Sequence, residues 1–293
     1  MLIMLGLVGG IITGLMAVGG GVLLIFLLLF IPPLFGQTYS MHTIAGMVII
    51  QTLFSGSSGV LTYYRHRWVN RFLMKFMGVG TFIGGTLGSY VSGLLHHEQL
   101  LLIFAVLSLL ATPCMFMNPA SPDSVPNENK LLALFFGLGI GVLGGMFGIG
   151  AGFLYMPVLL HIFKVHAKTA VGTGLALALL LCLGALLIKI ADFEVPLNEG
   201  LLLALGAFPG GKIGAYWGKN IKVSLLSYLM ACTIAIISLK IWADVLHPYG
   251  VLPLSLGLSM LVCLMGLFLL TKRKNRNKEN VPSVRDNYKN QSV

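Results

Sequence analysis

Long apolar runs separated by short polar stretches make up most of the chain. Each run is close to the 20 or so apolar residues that an α-helix needs to cross the hydrocarbon core of a bilayer. Nine such runs occupy residues 2–31, 42–63, 72–95, 99–117, 131–163, 169–190, 198–217, 223–243 and 251–271. The pattern predicts an all-α integral membrane protein, whose surroundings are the lipid bilayer.

The composition agrees with this prediction and excludes a water-soluble globule. Of the 293 residues, 57% are hydrophobic and 10% are charged, whereas soluble domains carry about 25% charged residues. The net charge is +10, but seven of the 19 Lys and Arg residues lie within 272–293. A basic tail after an apolar run is typical of the cytoplasmic side of a membrane protein, and it favours this location over nucleic-acid binding.

Glycine-rich stretches in the two halves of the chain match one another. Residues 13–21 match residues 144–152 at an offset of 131, and residues 80–90 match residues 206–216 at an offset of 126. Two matches in the same order indicate a duplicated unit of four segments. We therefore predict membrane repeat 1 (1–117), a linker (118–130), membrane repeat 2 (131–243), a ninth, additional helix (244–271) and a disordered basic tail (272–293).

Loops at equivalent positions of the two repeats carry opposite charge. The loop after the second segment of repeat 1 contains Arg65, Arg67, Arg71 and Lys75. The equivalent loop of repeat 2 contains Asp192, Glu194 and Glu199. Because loops rich in Lys and Arg stay in the cytoplasm, the two repeats are predicted to be inverted. With this topology, runs 99–117 and 131–163 cannot both be simple spans. The economical solution breaks run 131–163, and likewise run 2–31, into half-helices that enter the membrane and return.

The glycines within these two runs form the predicted substrate site, which comprises Gly19, Gly20, Gly21, Gly148, Gly150, Ala151 and Gly152. Gly-x-x-x-Gly spacings such as Gly10 to Gly14 and Gly141 to Gly145 also fit close helix packing. Clustered glycines, however, form poor helix, and the exposed peptide groups are tolerated in lipid only where they line a cavity. Half-helices starting near Val22 and Phe153 would direct free N–H groups at a small anion.

Polar side chains within the spans add candidates. Gln51 belongs to a polar cluster on the second segment, and Thr169 and Thr173 share one face of the sixth. Hydroxyl groups in membrane helices commonly bond to their own backbone, whereas a buried amide needs partners at both ends. We include all three residues in the predicted site. Lys212 either neutralises an anion near the cytoplasmic mouth or extends to the interface.

The second glycine motif and the residues after it resemble a known family. Residues 148–159 run Gly-Ile-Gly-Ala-Gly-Phe-Leu-Tyr-Met-Pro-Val-Leu, and residues 168–174 run Lys-Thr-Ala-Val-Gly-Thr-Gly. With the first motif, they resemble the TauE/SafE sulfite-exporter family over nearly all of residues 1–270. The resemblance implies a multi-pass permease that exports sulfite, sulfonates or related anions. Repeat 1 departs from the pattern where Phe26 stands at the place of Pro157.

Other classes of function find little support. No Gly-Lys-Ser/Thr follows either glycine motif and no catalytic motif is present, so we predict neither ATP use nor an enzyme, and no cofactor. A proton or sodium gradient would then drive alternating access, and we expect the protein to lie in the cell (inner) membrane. The sequence does not decide between a monomer and a homo-oligomer. Two alternatives are a non-transporting membrane scaffold and a sulfur-handling redox protein with a reactive Cys114 or Cys182.

Overall fold

The computed structural model describes residues 1–16, 20–32, 36, 39–96, 99–100, 102–103, 106–107, 128–148, 150–191 and 196–218. This part of the chain forms helices and short connections and contains no strand. The segments at 223–243 and 251–271, the tail at 272–293, and most of 99–117 and of the linker lie outside the described residues.

The helices are α1 (Leu2–Met16), α2 (Gly20–Phe30), α3 (Met41–Arg65), α4 (Arg71–Leu94), α5 (Lys130–Phe147), α6 (Gly152–Pro157), α7 (Ala167–Ala191) and α8 (Leu197–Gly218). A π-helical turn, Val158–Ile162, continues α6. The predicted segments at 42–63, 72–95, 169–190 and 198–217 are confirmed to within two residues at each end. Among the described residues, three stretches are long and apolar enough to span a membrane: His42–Arg65, Lys130–Phe147 and Lys168–Ile190.

Short polar side chains set the start of three helices. Ser40, Asn70 and Asn129 precede α3, α4 and α5. The Asn70 Oδ1 atom accepts hydrogen bonds from the backbone N–H groups of Phe72 and Leu73 at 2.9 and 3.1 Å. These bonds satisfy donors that have no partner inside the first turn of a helix.

Both of the longest apolar runs are broken, as predicted. α1 and α2 fold back on each other, because Gly20 contacts Thr13 and a β-carbon built on Gly9 would lie 3.2 Å from Leu24 Cδ1. α5 and the α6 segment do the same, with the ring centroids of Phe136 and Phe163 6.5 Å apart. Each run therefore forms a helical hairpin rather than one continuous helix.

Glycines allow α1 to pack closely on α8, and α5 on α4. A β-carbon built on Gly10 would lie 2.6 Å from the Ala207 carbonyl oxygen, and one built on Gly141 would lie 2.8 Å from the Thr81 carbonyl oxygen. One turn to either side, the same contacts join Gly6 to Leu203, Gly14 to Gly211, Gly137 to Met77 and Gly145 to Gly85. Residue numbers rise together along both pairs, so each pair runs parallel.

The central helices α3 and α7 run in opposite directions. Gly56 of α3 faces Leu179 of α7, because a β-carbon built on Gly56 would lie 3.6 Å from Leu179 Cδ1. Further along α3, Tyr63 faces the earlier residue Gly172 of α7, where a built β-carbon would lie 3.2 Å from Tyr63 Cβ.

Two further contacts extend this arrangement. Near the start of α4, Asn70 bonds to Thr173, and near its end Ser89 bonds to Ala185, so α4 is parallel to α7. Gly200 contacts Ile50 and Gly211 contacts Ser55, so α8 is parallel to α3.

The basic residues of three segments gather at one end of the helices. Lys168 Nζ lies 5.0 Å from the centre of a Trp68 ring. Lys130 Nζ and Lys75 Nζ lie 5.4 and 5.7 Å from the centre of the Phe76 ring. The α3–α4 loop and the starts of α5 and α7 therefore share this end, which we call the basic end.

The opposite end holds the starts of α3 and α8. Tyr39 and Glu199 lie just before α3 and in the first turn of α8. Burial and, to a smaller extent, the carboxylate of Glu199 raise the pKa of Tyr39. The starts of the two parallel helices α3 and α8 are therefore neighbours at the end away from the basic residues.

Candidate functional site

The second helix break is a run of left-handed backbone. Gly148, Gly150 and Ala151 have φ angles of 67°, 68° and 45°. Glycine adopts this conformation without the steric cost that a β-carbon imposes. Gly148 ends α5, and Ala151, which is fully buried, precedes α6. The alternating glycines are thus what allow the chain to reverse here.

This break packs between the middles of α3 and α7. A β-carbon built on Gly148 would lie 2.7 Å from the Ala45 carbonyl oxygen. One built on Gly150 would lie 3.4 Å from Thr52 Cγ2 and 3.0 Å from Ala178 Cβ. Thr52 and Ala178 are both the twelfth residue of 25-residue helices. The break is therefore level with the centre of the two longest helices.

The first helix break lies against a buried threonine. Gly20, the first residue of α2, contacts Thr13. The Thr13 hydroxyl donates a hydrogen bond to the Gly9 carbonyl oxygen at 2.8 Å and accepts one from Gln51 Nε2 at 3.4 Å. This break is consequently connected to α3 through one hydroxyl group.

Gln51 joins the surroundings of the two breaks. Its Oε1 atom accepts a hydrogen bond from the Thr52 hydroxyl at 3.3 Å, and Thr52 is the residue that Gly150 contacts. We call Thr13, Gln51 and Thr52 the central polar cluster. Their exposed fractions are 4%, 0% and 2%. The partners that a buried amide requires at both ends are therefore the two threonines beside the breaks.

The chemistry of this cluster suits an anion with oxygen atoms. It consists of hydroxyl and amide groups without a fixed charge, and its bonds of 3.3 and 3.4 Å are longer than the 2.9 Å or so of a typical hydrogen bond, so an anion could replace them as acceptor. In the described residues, the N–H groups of Ala151 and Gly152 donate to no backbone carbonyl. No group of three or more His, Cys, Asp or Glu residues that could hold a metal occurs in that part of the chain.

The predicted threonines of α7 lie apart from this cluster. The Thr173 hydroxyl accepts a hydrogen bond from the backbone N–H of Asn70 at 2.9 Å. Thr173 is five residues before Ala178, about 7.5 Å along the helix axis, and Thr169 is a further turn towards the basic end. Thr173 thus holds the start of α4 against α7, because its side chain faces the α3–α4 loop.

The other predicted glycines lie at the starts of α2 and α6, and two residues near the breaks were not predicted. Gly20 and Gly21 form the first turn of α2, and Gly152 begins α6, so all three are helical, whereas Gly19 lies outside the described residues.

Sequence analysis missed Thr13 and did not assign Cys182 to this site. The buried thiol of Cys182 lies 3.8 Å from the Gly148 carbonyl oxygen, and nothing in its apolar run distinguishes it from a packing residue.

Comparison with known proteins gives consistent matches over most of the chain. The family described as "Sulfite exporter TauE/SafE" matches residues 2–241. The probable membrane transporter proteins YunE and YjnA of Bacillus subtilis are 24% and 27% identical, each over 82% of this chain, and the matches cover 96% and 98% of those proteins. The probable membrane transporter protein MamO of Paramagnetospirillum magneticum is 24% identical over 83% of this chain and 44% of its own length. No solved structure matches.

Proposed function

Because the chain belongs to the TauE/SafE sulfite-exporter family of membrane transporters, we propose that it carries a small sulfur-containing oxyanion, such as sulfite or an organosulfonate. The observation that carries this proposal is that Thr13, Gln51 and Thr52 are joined by hydrogen bonds, with Gly20 packed against Thr13 and Gly150 against the methyl group of Thr52. Many secondary transporters hold an anion near the midplane between broken helices whose N-terminal ends point at it, and the two breaks here lie on either side of this cluster.

The packing of the helices supports two inverted repeats. Adding 131 to Gly10 gives Gly141, and subtracting 126 from Ala207 gives Thr81, so one interhelical contact maps onto the other. The same two offsets relate the neighbouring turns of both helix pairs. Helices α1, α3 and α8 run in one direction, whereas their counterparts α5, α7 and α4 run in the other. Each repeat therefore supplies one hairpin and one long helix to the centre.

The orientation in the membrane follows from charge. The positive-inside rule assigns the basic end, with Trp68 and the lysines around it, to the cytoplasm. The hairpin of α5 and α6 then opens to the cytoplasm, and that of α1 and α2 opens to the outside. An anion thus has one half-helix hairpin on each side of the central polar cluster.

Burial of the cluster implies movement during transport. Because Gln51 is fully buried, an anion reaches its amide only when the helices around it separate on one side. In inverted repeats, exchanging the conformations of the two halves exposes the site alternately to each side. We propose that a proton or sodium gradient biases this exchange and that the direction is export, as the family description indicates.

Uptake into proteoliposomes tests this function. Purified protein is reconstituted, and radiolabelled sulfite, thiosulfate, sulfate and an alkyl sulfonate are supplied separately under imposed proton or sodium gradients. We expect at least one of these anions to enter faster than in protein-free vesicles, and unlabelled anion of the same kind to compete. Absence of protein-dependent uptake of every anion under every gradient would contradict a permease and favour the non-transporting scaffold.

A further inference from the structure

A groove between α3 and α8 at the basic end has features of a second binding site. Its cavity of about 510 Å³ is lined by Arg65, His66 and Lys212, among other residues. Arg65 also lines an adjoining cavity of about 660 Å³, together with Arg67 and Arg71. The groove is therefore continuous with the most basic surface of the α3–α4 loop.

The lining residues are ordered by polarity along the helix axes. Arg65 is the last residue of α3, and α8 runs parallel to it and ends at Gly218. Lys212 lies six residues before that end, about 9 Å deeper at 1.5 Å per residue, within reach of the surface for an extended lysine. Phe208 lies a further turn deeper. Charge thus lies at the mouth of the groove and apolar surface below it.

The apolar wall is open to the surroundings of the protein. Leu61, Phe208 and Ile213 have exposed fractions of 55%, 51% and 38%. At the level of the last turn of α8, Tyr216 and Trp217 also line the groove, as aromatic residues do at the boundary between lipid and water. In a membrane transporter, a surface at this depth is in contact with acyl chains.

We propose that this groove binds one anionic phospholipid. Its phosphate lies between Arg65 and Lys212, its headgroup extends towards Arg67 and Arg71, and its acyl chains lie on Leu61 and Phe208. A bare inorganic anion does not require the exposed apolar wall, and a zwitterionic lipid does not require the row of cations. The combination of the two matches an amphiphile with net negative charge, and basic pockets between transmembrane helices are known to bind such headgroups.

The equivalent positions of the other repeat provide an internal comparison. At the offset of 126, Phe208 corresponds to Phe82 and Tyr216 to Tyr90, so the apolar and aromatic positions are repeated. Lys212, however, corresponds to Thr86, whose hydroxyl bonds to the Gly184 carbonyl oxygen at 3.2 Å. The cation at this position is therefore present only in repeat 2, at the basic end, which matches the anionic surface of the cytoplasmic leaflet.

Lipid binding to the full-length protein tests the proposal. Native mass spectrometry in detergent measures the affinity for phosphatidylglycerol and phosphatidylcholine. We expect the wild-type protein to prefer phosphatidylglycerol, and Lys212→Thr, which introduces the residue of the other repeat, to lose about fivefold in that affinity, since a lysine near a membrane surface contributes about 1 kcal/mol. Arg65→Gln is a second variant with the same expected direction. Lys75→Thr, which removes an exposed cation at the same end, should retain the affinity.

Three results would overturn the proposal. The first is equal binding of the two lipids by the wild-type protein. The second is an unchanged affinity for phosphatidylglycerol in both Lys212→Thr and Arg65→Gln, with size-exclusion profiles showing that both variants are folded. The third is displacement of phosphatidylglycerol by millimolar inorganic phosphate, which would identify a site for a free anion instead. None of these results depends on transport, so they are separate from the test of the permease function.

Discussion

Replacing Gly141 by alanine is expected to destabilise the protein by about 1–3 kcal/mol, the usual cost of an added methyl group in a close-packed interface. A β-carbon at this position would lie 2.8 Å from the Thr81 carbonyl oxygen and 2.9 Å from Gly84 Cα. Both atoms belong to the backbone of α4, so relief requires α4 and α5 to separate. Thermal unfolding in detergent, followed by fluorescence of a thiol- or tryptophan-based probe, measures the change.

Gly139, in the same helix, is the matched control. A β-carbon built there meets no atom within 4 Å, so Gly139→Ala should leave stability unchanged or raise it by up to about 1 kcal/mol through helix propensity. Equal unfolding temperatures for Gly141→Ala and Gly139→Ala would mean that close approach of α4 and α5 does not contribute to stability.

Replacing Gln51 by leucine is expected to reduce anion uptake by roughly 5- to 150-fold, which corresponds to the 1–3 kcal/mol of a lost buried polar interaction. Gln51 is the residue that connects Thr13 to Thr52, and leucine retains its approximate size without its N–H donors. Gln51→Glu should be at least as damaging, because a carboxylate in the cluster would repel an anion. Initial rates of labelled anion uptake by proteoliposomes measure both effects.

Ser57 provides the control on the same helix. Its side chain is exposed, and its hydroxyl bonds to the Phe54 carbonyl oxygen at 2.9 Å. Ser57→Ala should therefore transport at the wild-type rate. If Gln51→Leu, folded and reconstituted to the same density, transported as fast as Ser57→Ala, the central polar cluster would not be the substrate site.

Most of the fold follows from two signals that are local in the sequence. The length of an uninterrupted apolar run predicts a spanning helix because lipid satisfies no backbone group, and α3, α4, α7 and α8 begin and end close to the predicted bounds. The clustered glycines predict the break after α5, where Gly148 and Gly150 adopt positive φ. Gly20 and Gly21, by contrast, are helical, and Gly20 packs against Thr13 at the start of α2.

The site was only partly predictable. Gln51 was identifiable because an amide in an apolar run needs partners. Thr13 and Thr173 carry the same hydroxyl group, yet Thr13 faces Gln51 and Thr173 faces the start of α4. Which threonine joins the cluster depends on how helices distant in sequence pack against one another. The groove beside Lys212 was likewise hidden, since it exists only where α3 and α8 lie side by side.

The proposed transport mechanism requires the two repeats to be inverted in the membrane, and cysteine accessibility can show whether they are. In a variant without the four native cysteines, Arg67→Cys reports the α3–α4 loop and Leu197→Cys reports the start of α8; both positions are exposed. A membrane-impermeant maleimide should label Leu197→Cys in intact cells and Arg67→Cys only after permeabilisation. Labelling of both positions from the same side of the membrane would contradict inverted repeats.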